Sequence, residues 1–227
     1  VDYEYAKATA DYTPKFYFSM DTVKADYGDV STSHTLSIGA ELVFEQGASV
    51  VCLSQIDPAD GASLTQFQNA LNKLSPVTGI NIVVPLTTDT NLFASVKTHV
   101  LNASSITERK ERTAILGLSG SPAVSTVQSQ ATALADKRVV LVYPTSGTRY
   151  LGNSTTISTL DGSFLAAAIA GIRTSTSFTV SDPLTRKEVT GFVDIPDTLL
   201  RSEKNVLSGS GVCLVESQSG IPRVRYG

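Results

Sequence analysis

A carboxylate, an imidazole and a hydroxyl can together make a nucleophile, and this sequence holds one of each in a suggestive order. The hydroxyl is Ser163, in "DGSFLAAAIAGI" (161–172), near the start of a helix made of alanine, glycine and large apolar residues. The imidazole is His34, in "STSHTLSIGAEL" (31–42), where a helical period begins. The carboxylate is Asp21, just after the aromatic stretch "KFYFSM" (15–20). Such a set activates a serine only if the imidazole reaches the hydroxyl and the carboxylate holds the imidazole. Packing is the competing reading of the same residues. Asp161 is a natural N-cap and Ser163 falls in the first turn behind it. Ala166, Ala167, Ala168, Ala170 and Gly171 would let the helix lie close against a sheet and against a second element.

The remaining candidates for chemistry are sparse. His99 shares the apolar stripe of its helix with Val96 and Val100, the position of a half-buried core histidine. Asp57, Asp60 and Asp89 sit in loops after strand-like runs and could in principle hold a hard cation, but loop carboxylates are ordinarily solvated. "GLSGSP" (117–122) has the glycines of a phosphate nest without the Lys and Ser/Thr of a P-loop. Cys52 and Cys213 both lie in apolar runs and read as buried free thiols, which suits a reducing place of assembly. The sequence thus predicts no metal and no cofactor. Eighteen basic against 21 acidic side chains, a net charge of −3, argues against nucleic acid as a partner. No apolar run has the roughly 18 to 20 residues that span a bilayer. The chain opens on Val1 with no signal-peptide pattern, as expected of a piece of a longer polypeptide.

The elements that must position these groups follow from the apolar pattern. "SVVCL" (49–53), "GINIVV" (79–84), "RTAILGL" (112–118), "RVVLVY" (138–143) and "GVCLV" (211–215) are continuous rather than alternating, so both faces are covered, as in a parallel sheet between helices. Helical spacing joins Leu64, Phe67, Leu71 and Leu74. It also joins Leu92, Phe93, Val96 and Val100; Val124, Val127, Ala131, Leu134 and Ala135; and Leu36, Ala40, Val43 and Phe44. The alternation predicts an α/β fold: a three-layer sandwich with a mostly parallel central sheet flanked by helices. "KFYFSM" reads as an isolated strand. "EVTGFVDI", "GVCLVES" and "PRVRYG" read as strands of a small antiparallel edge, and "LSGSG" (207–211) and "SQSG" (217–220) as turns.

Two resemblances bear on these residues. The Ser163 helix is similar in length and small-residue rhythm to the nucleophile helix of subtilisin-like proteases, whose triad has the same order of Asp, His and Ser. Its flanks depart: Asp161-Gly162 stands where the proteases have Gly-Thr, His34 is followed by Thr35-Leu36, and no oxyanion-hole Asn is recognisable. A serine hydrolase using Asp21, His34 and Ser163 is therefore the alternative reading. An ordered set of segments resembles the contractile tail sheath proteins of bacteriophages over about residues 14 to 227. These are "IGAELVFEQGASVVCLSQI", "GINIVVPLTTD", "TERKERTAILGLSG", "RVVLVYP" followed by "DGSFLAAAIAGI", "PLTRKEVTGF", and "EKNVLSGSGVCLVESQSGIPRVRYG".

The sheath resemblance implies a structural protein with no catalytic residue and a subtilisin-like topology without protease chemistry. It implies partners in other sheath subunits, stacked as hexameric rings in a helical lattice around a tail tube. Such a lattice stores conformational energy and drives the tube through the target envelope. The location implied is the virion tail, after assembly in the host cytoplasm, with no membrane insertion. Residues 1–227 would be one sheath body, with 1–30 the end of a preceding segment and the tube-contacting C-terminal domain absent. In isolation it would be monomeric. The charged runs Glu108 to Arg112 and Arg186 to Glu188 offer exchangeable polar contacts between subunits, and otherwise make an ordinary solvated face.

Overall fold

The computed structural model describes residues 12–56, 63–175, 177, 182–196 and 198–226. In chain order it runs β1 (Lys15–Tyr17), α1 (Met20–Tyr27), α2 (Thr35–Glu45), β2 (Val51–Leu53), α3 (Leu64–Leu74), β3 (Ile82–Val83) and α4 (Thr90–Ala103). It continues with β4 (Thr113–Gly117), α5 (Val124–Leu134), β5 (Val139–Tyr143), β6 (Ser146–Tyr150), β7 (Ile157–Asp161), α6 (Gly162–Thr174), α7 (Arg201–Gly209), β8 (Val212–Gln218) and β9 (Ile221–Tyr226).

The central sheet has the order β3-β4-β5-β8-β9. Its first four strands are parallel and β9 is antiparallel to β8, which is the expected α/β sandwich with an antiparallel edge. Successive strand residues face opposite layers. Ala114 and Leu116 of β4, with Val212 and Leu214 of β8, pack on α4, α5 and Leu207 of α7. Ile115, Val142, Cys213 and Val215 face α6 and α2 on the other side. The continuous apolar runs are thus explained: each strand spends alternate residues on two separate cores. Among the described residues no helix is long and apolar enough to cross a membrane.

Helix α6 is buried on every side from Gly162 to Ile172, as its uniformly apolar sequence requires. Small residues set how close it comes. A Cβ on Gly117 of β4 would lie 1.9 Å from the Gly162 carbonyl oxygen, and one on Gly171 would lie 2.8 Å from the Val43 oxygen of α2. The expected packing role of this helix, against sheet on one side and a helix on the other, is what the structure contains.

Several expectations need correction. β2 does not join the central sheet; it pairs antiparallel with β1 in a separate two-stranded sheet, so "KFYFSM" is not isolated either. Tyr17, Val51 and Leu53 cover a small third core with Val23, Tyr27 and Ala40. After β5 and the cis Tyr143–Pro144 bond the chain enters β6, which forms a hairpin with β7 that no apolar run had announced. "EVTGFVDI" contributes only single bridges, Glu188 to Arg223 and Thr148 to Asp194. The predicted turn at 207–211 is mostly the end of α7, which the sequence reading missed. The turn at 217–220 is present, with Ser219 and Gly220 at positive φ.

Candidate functional site

The triad candidates are placed by three different helices. Asp21 is exposed in the first turn of α1, where its charge faces the positive end of the helix dipole. His34 precedes α2; its Nδ1 is 2.6 Å from the Asp29 carbonyl oxygen and 3.1 Å from the Ser31 hydroxyl, and its ring covers Gly28. Ser163 is fully buried. Its backbone N–H donates to Asp161 Oδ1 at 2.8 Å, and its hydroxyl donates to the same oxygen at 2.5 Å. The alternative triad therefore fails at its nucleophile: the hydroxyl is bound to a capping carboxylate rather than to an imidazole, and it is closed off from solvent. The physical cause lies one step back. Gly162 N–H donates to the Leu118 oxygen at 3.0 Å, which draws the start of α6 onto the carboxyl end of β4. In parallel sheets this is where ligands usually sit; here the helix fills the place.

The other candidates are likewise engaged. Asp89 caps α4, accepting from Asn91 N at 2.9 Å. Asp57 and Asp60 lie outside the described residues. In "GLSGSP" the Gly120 carbonyl accepts from the Thr145 hydroxyl at 2.5 Å. Among the described residues no three His, Cys, Asp or Glu side chains gather where they could hold a metal ion. Cys52 and Cys213 are free thiols; burial pushes the first up to about 11 and the second up to about 12.

The charged run at 108–112 is divided. Glu108, Arg109 and Glu111 are exposed, whereas Arg112 is 1% exposed and unavailable to any partner surface in the sense expected of it. Its Nη2 donates to the carbonyls of Leu74, at 3.1 Å, and of Val77. Its Nη1 donates to His99 Nε2 at 2.7 Å. Burial, with the Arg112 charge beside it, lowers the His99 pKa to about 4, so the imidazole is neutral and accepts. Arg112 thereby ties the end of α3 to α4. Around it Glu111 meets Arg138 at 2.6 Å, and Lys110 meets Glu108 at 3.0 Å.

Two buried ionic clusters escaped the sequence reading. Arg149 of β6 binds Glu41 at 2.6 Å and Glu45 at 3.1 Å, both on α2. Glu216 of β8 accepts from Lys204 of α7 at 3.0 Å, from Arg225 of β9 at 2.8 and 3.0 Å, and from Gln218 at 2.9 Å. Glu216 directly follows the apolar run "VCLV", and a carboxylate in a covered strand must bring partners with it. That signal was legible; the partners were not. Both clusters join helix to strand.

No family model matches the chain. The tail sheath protein of Mycobacterium phage Bxz1 is 34% identical over 205 residues, which are 88% of this chain and 34% of that protein. The chain thus spans about a third of the length of the curated relative it matches. Among solved structures, a chain of the anti-feeding prophage baseplate superposes with a TM-score of 0.69 at 16% identity, over 100% of this chain and 60% of that one. A chain of the contracted sheath complex of an extracellular contractile injection system gives 0.67 at 14% identity, over 99% and 57%. The sheath tail protein of Desulfitobacterium hafniense gives 0.55 at 16% identity, over 77% and 40%. At these identities the structures speak for the fold, and the phage relative makes this chain similar over most of its length to about a third of a tail sheath protein.

Proposed function

We propose that the chain is the structural body of a contractile tail sheath subunit and performs no catalysis. The 34% identity to a phage tail sheath protein over most of the chain carries this reading. The buried, carboxylate-bound hydroxyl of Ser163 supports its inert side. Residues 1–227 act as one body that moves as a unit in the virion tail, after assembly in the host cytoplasm. Copies sit in hexameric rings around a tube, in an extended lattice that stores energy and a contracted one that releases it. A lattice that slides needs stiff units and exchangeable contacts. Two cores on one sheet, closed by buried ion clusters, supply the stiffness. Glu108, Arg109, Glu111, Arg186 and Glu188 offer polar contacts, and Phe18 and Ile106, 74% and 88% exposed, offer apolar ones.

The test is electron microscopy of the complete polypeptide polymerised on its tube, before and after contraction. The central sheet and α6 should superpose between the two states within about 1 Å, while contacts at the exposed residues change. A body that refolds internally, or a chain absent from the sheath layer, refutes the proposal. A fluorophosphonate probe should leave Ser163 unlabelled.

A further inference from the structure

The ribbon of β1 and β2 is apolar on both faces. Tyr17, Val51 and Leu53 turn inward to the third core. Strand residues alternate, so Phe16 and Cys52, opposite each other in the ladder, turn outward. Phe18, two residues after Phe16, and Val50, two before Cys52, are exposed as Phe16 is. Phe18 and Ile106 are the two most exposed large apolar side chains among the described residues. Three such side chains on one face exceed the single exposed residues that any surface carries. Asp21 follows Phe18 by three residues and is exposed in the first turn of α1. The nearby lysines are engaged elsewhere, Lys15 with Asp26 and Lys24 beside Glu41, and among the described residues Asp21 has no ion-pair partner.

Ile106 is an apolar anchor beside the opposite charge. It stands in the loop between α4 and β4, and that loop is built rather than slack. Arg109 N–H donates to the Ser105 oxygen at 2.8 Å, Lys110 N–H to the Ala103 oxygen at 2.9 Å, and Arg112 N–H to the Ser104 hydroxyl at 2.8 Å. Arg109 has a φ of 53°, a left-handed backbone that residues with a Cβ seldom adopt and that marks functional segments. Its Nε donates to the Ile106 oxygen at 3.1 Å, which seats the guanidinium against Ile106. Glu108 is held by Lys110 and Glu111 by Arg138, and among the described residues Arg109 has no ion-pair partner. An apolar side chain and an arginine held in place lose little freedom on contact. Leu200, next in exposure, offers no such match, because Glu203 accepts from its N–H and Arg201 adjoins it.

We infer that the Ile106 loop of one copy docks on the outer face of the β1–β2 ribbon of a second copy, with Ile106 against Phe18 and Arg109 paired to Asp21. On one copy the patches are separate: α4 belongs to a core of the central sheet and the ribbon to the small third core. A contact between two different patches repeats from copy to copy instead of closing a pair. The inference rests on the sheath reading for its place in a lattice, and names a contact which that reading leaves open. Two anchors and one ion pair are far fewer than the roughly 20 to 30 residues a side of a stable interface. Copies therefore meet only near millimolar concentration on their own and stay together in a lattice by multiplicity.

The test replaces Ile106 by the photo-crosslinker p-benzoylphenylalanine. The chain is irradiated at about 1 mM as a mixture of isotope-labelled and unlabelled copies. Mass spectrometry should find position 106 joined to residues 16–24, with one peptide labelled and the other not, which marks a contact between copies. Arg109→Asp and Asp21→Arg should each lower the yield about fivefold or more, and the two together should restore it to within about twofold. Both positions are exposed, and circular dichroism checks that each variant keeps the fold. Should Asp21→Arg not fold, Asp21→Asn makes the same test with a drop of about twofold. Crosslinks to any other segment, crosslinks only within one copy, no crosslink at that concentration, or charge variants that leave the yield unchanged overturn the inference. The sheath reading stands or falls separately, on electron microscopy of the polymerised polypeptide.

Discussion

Replacing Glu216 by Gln isolates the charge in one of the two buried ionic clusters described above. The carboxylate is 7% exposed and takes hydrogen bonds from Lys204, Arg225 and Gln218. Burial alone would push its pKa up. The bonds from Gln218, Arg225 and Lys204 outweigh burial and hold it at about 2, against an ordinary 4.5. At 1.36 kcal/mol per pH unit the gap is worth about 3 kcal/mol to the folded state. Glu216→Gln keeps the shape, removes the charge and leaves two partly buried cations facing each other, so a loss of about 3 kcal/mol is expected at pH 7. For a chain of this length that is a fall in Tm of about 6 to 12 °C. The sign with pH follows from which state binds the proton first. The unfolded carboxyl protonates near pH 4.5 and the folded one only near 2, so its contribution is complete above about 4.5 and lost as pH falls to 2. Urea unfolding of both proteins, followed by circular dichroism from pH 7 to pH 2, should show a difference that is largest at neutral pH and closes toward pH 2. A difference below about 1 kcal/mol at pH 7, or one that does not change across the acid limb, would refute the reasoning.

Gly117→Ala should destabilise by about 3 kcal/mol or more in urea unfolding, because its Cβ would strike the backbone of Gly162 and Ser163, which cannot swing aside; a neutral effect would mean that α6 can move off the sheet. Asp161→Ala removes the acceptor of both Ser163 groups and should cost about 1 to 2 kcal/mol in the same assay. His99 titrates in a window above that of Glu216. Its unfolded imidazole protonates near pH 6.5 and the folded one near 4, so its contribution is present above 6.5 and lost as pH falls through 4. His99→Gln keeps an acceptor for Arg112 and should flatten this limb by about 3 kcal/mol, read from urea midpoints between pH 7 and pH 4.

Local spacing carried a large share of the architecture. The apolar periods of α2, α3, α4 and α5 appear as helices over the residues that displayed them, and the runs at 79–84, 112–118, 138–143 and 211–215 all entered the central sheet. The run at 49–53 has the same composition and went elsewhere, because an apolar strand shows only that its faces are covered and not what it pairs with. α7 was hidden for the opposite reason. It buries Leu207 alone, so its apolar stripe is too thin to stand out. The Ser163 site was half legible: the cap and the small-residue helix could be read, whereas the direction of the hydroxyl could not.

By itself, the sequence determined the class of fold, the layers and the packing nature of α6. These follow from periodicity, which is written within a few residues of each position. Only the tertiary structure decided which charges are buried and with whom. Arg149 meets carboxylates 104 and 108 residues away, and Arg112 donates to carbonyls 35 and 38 residues away. It also decided that Ser163 is a capped, closed hydroxyl and that β2 pairs with β1 instead of joining the central sheet. Distant partners are chosen by how layers close over one another, and no local pattern of residues contains that choice.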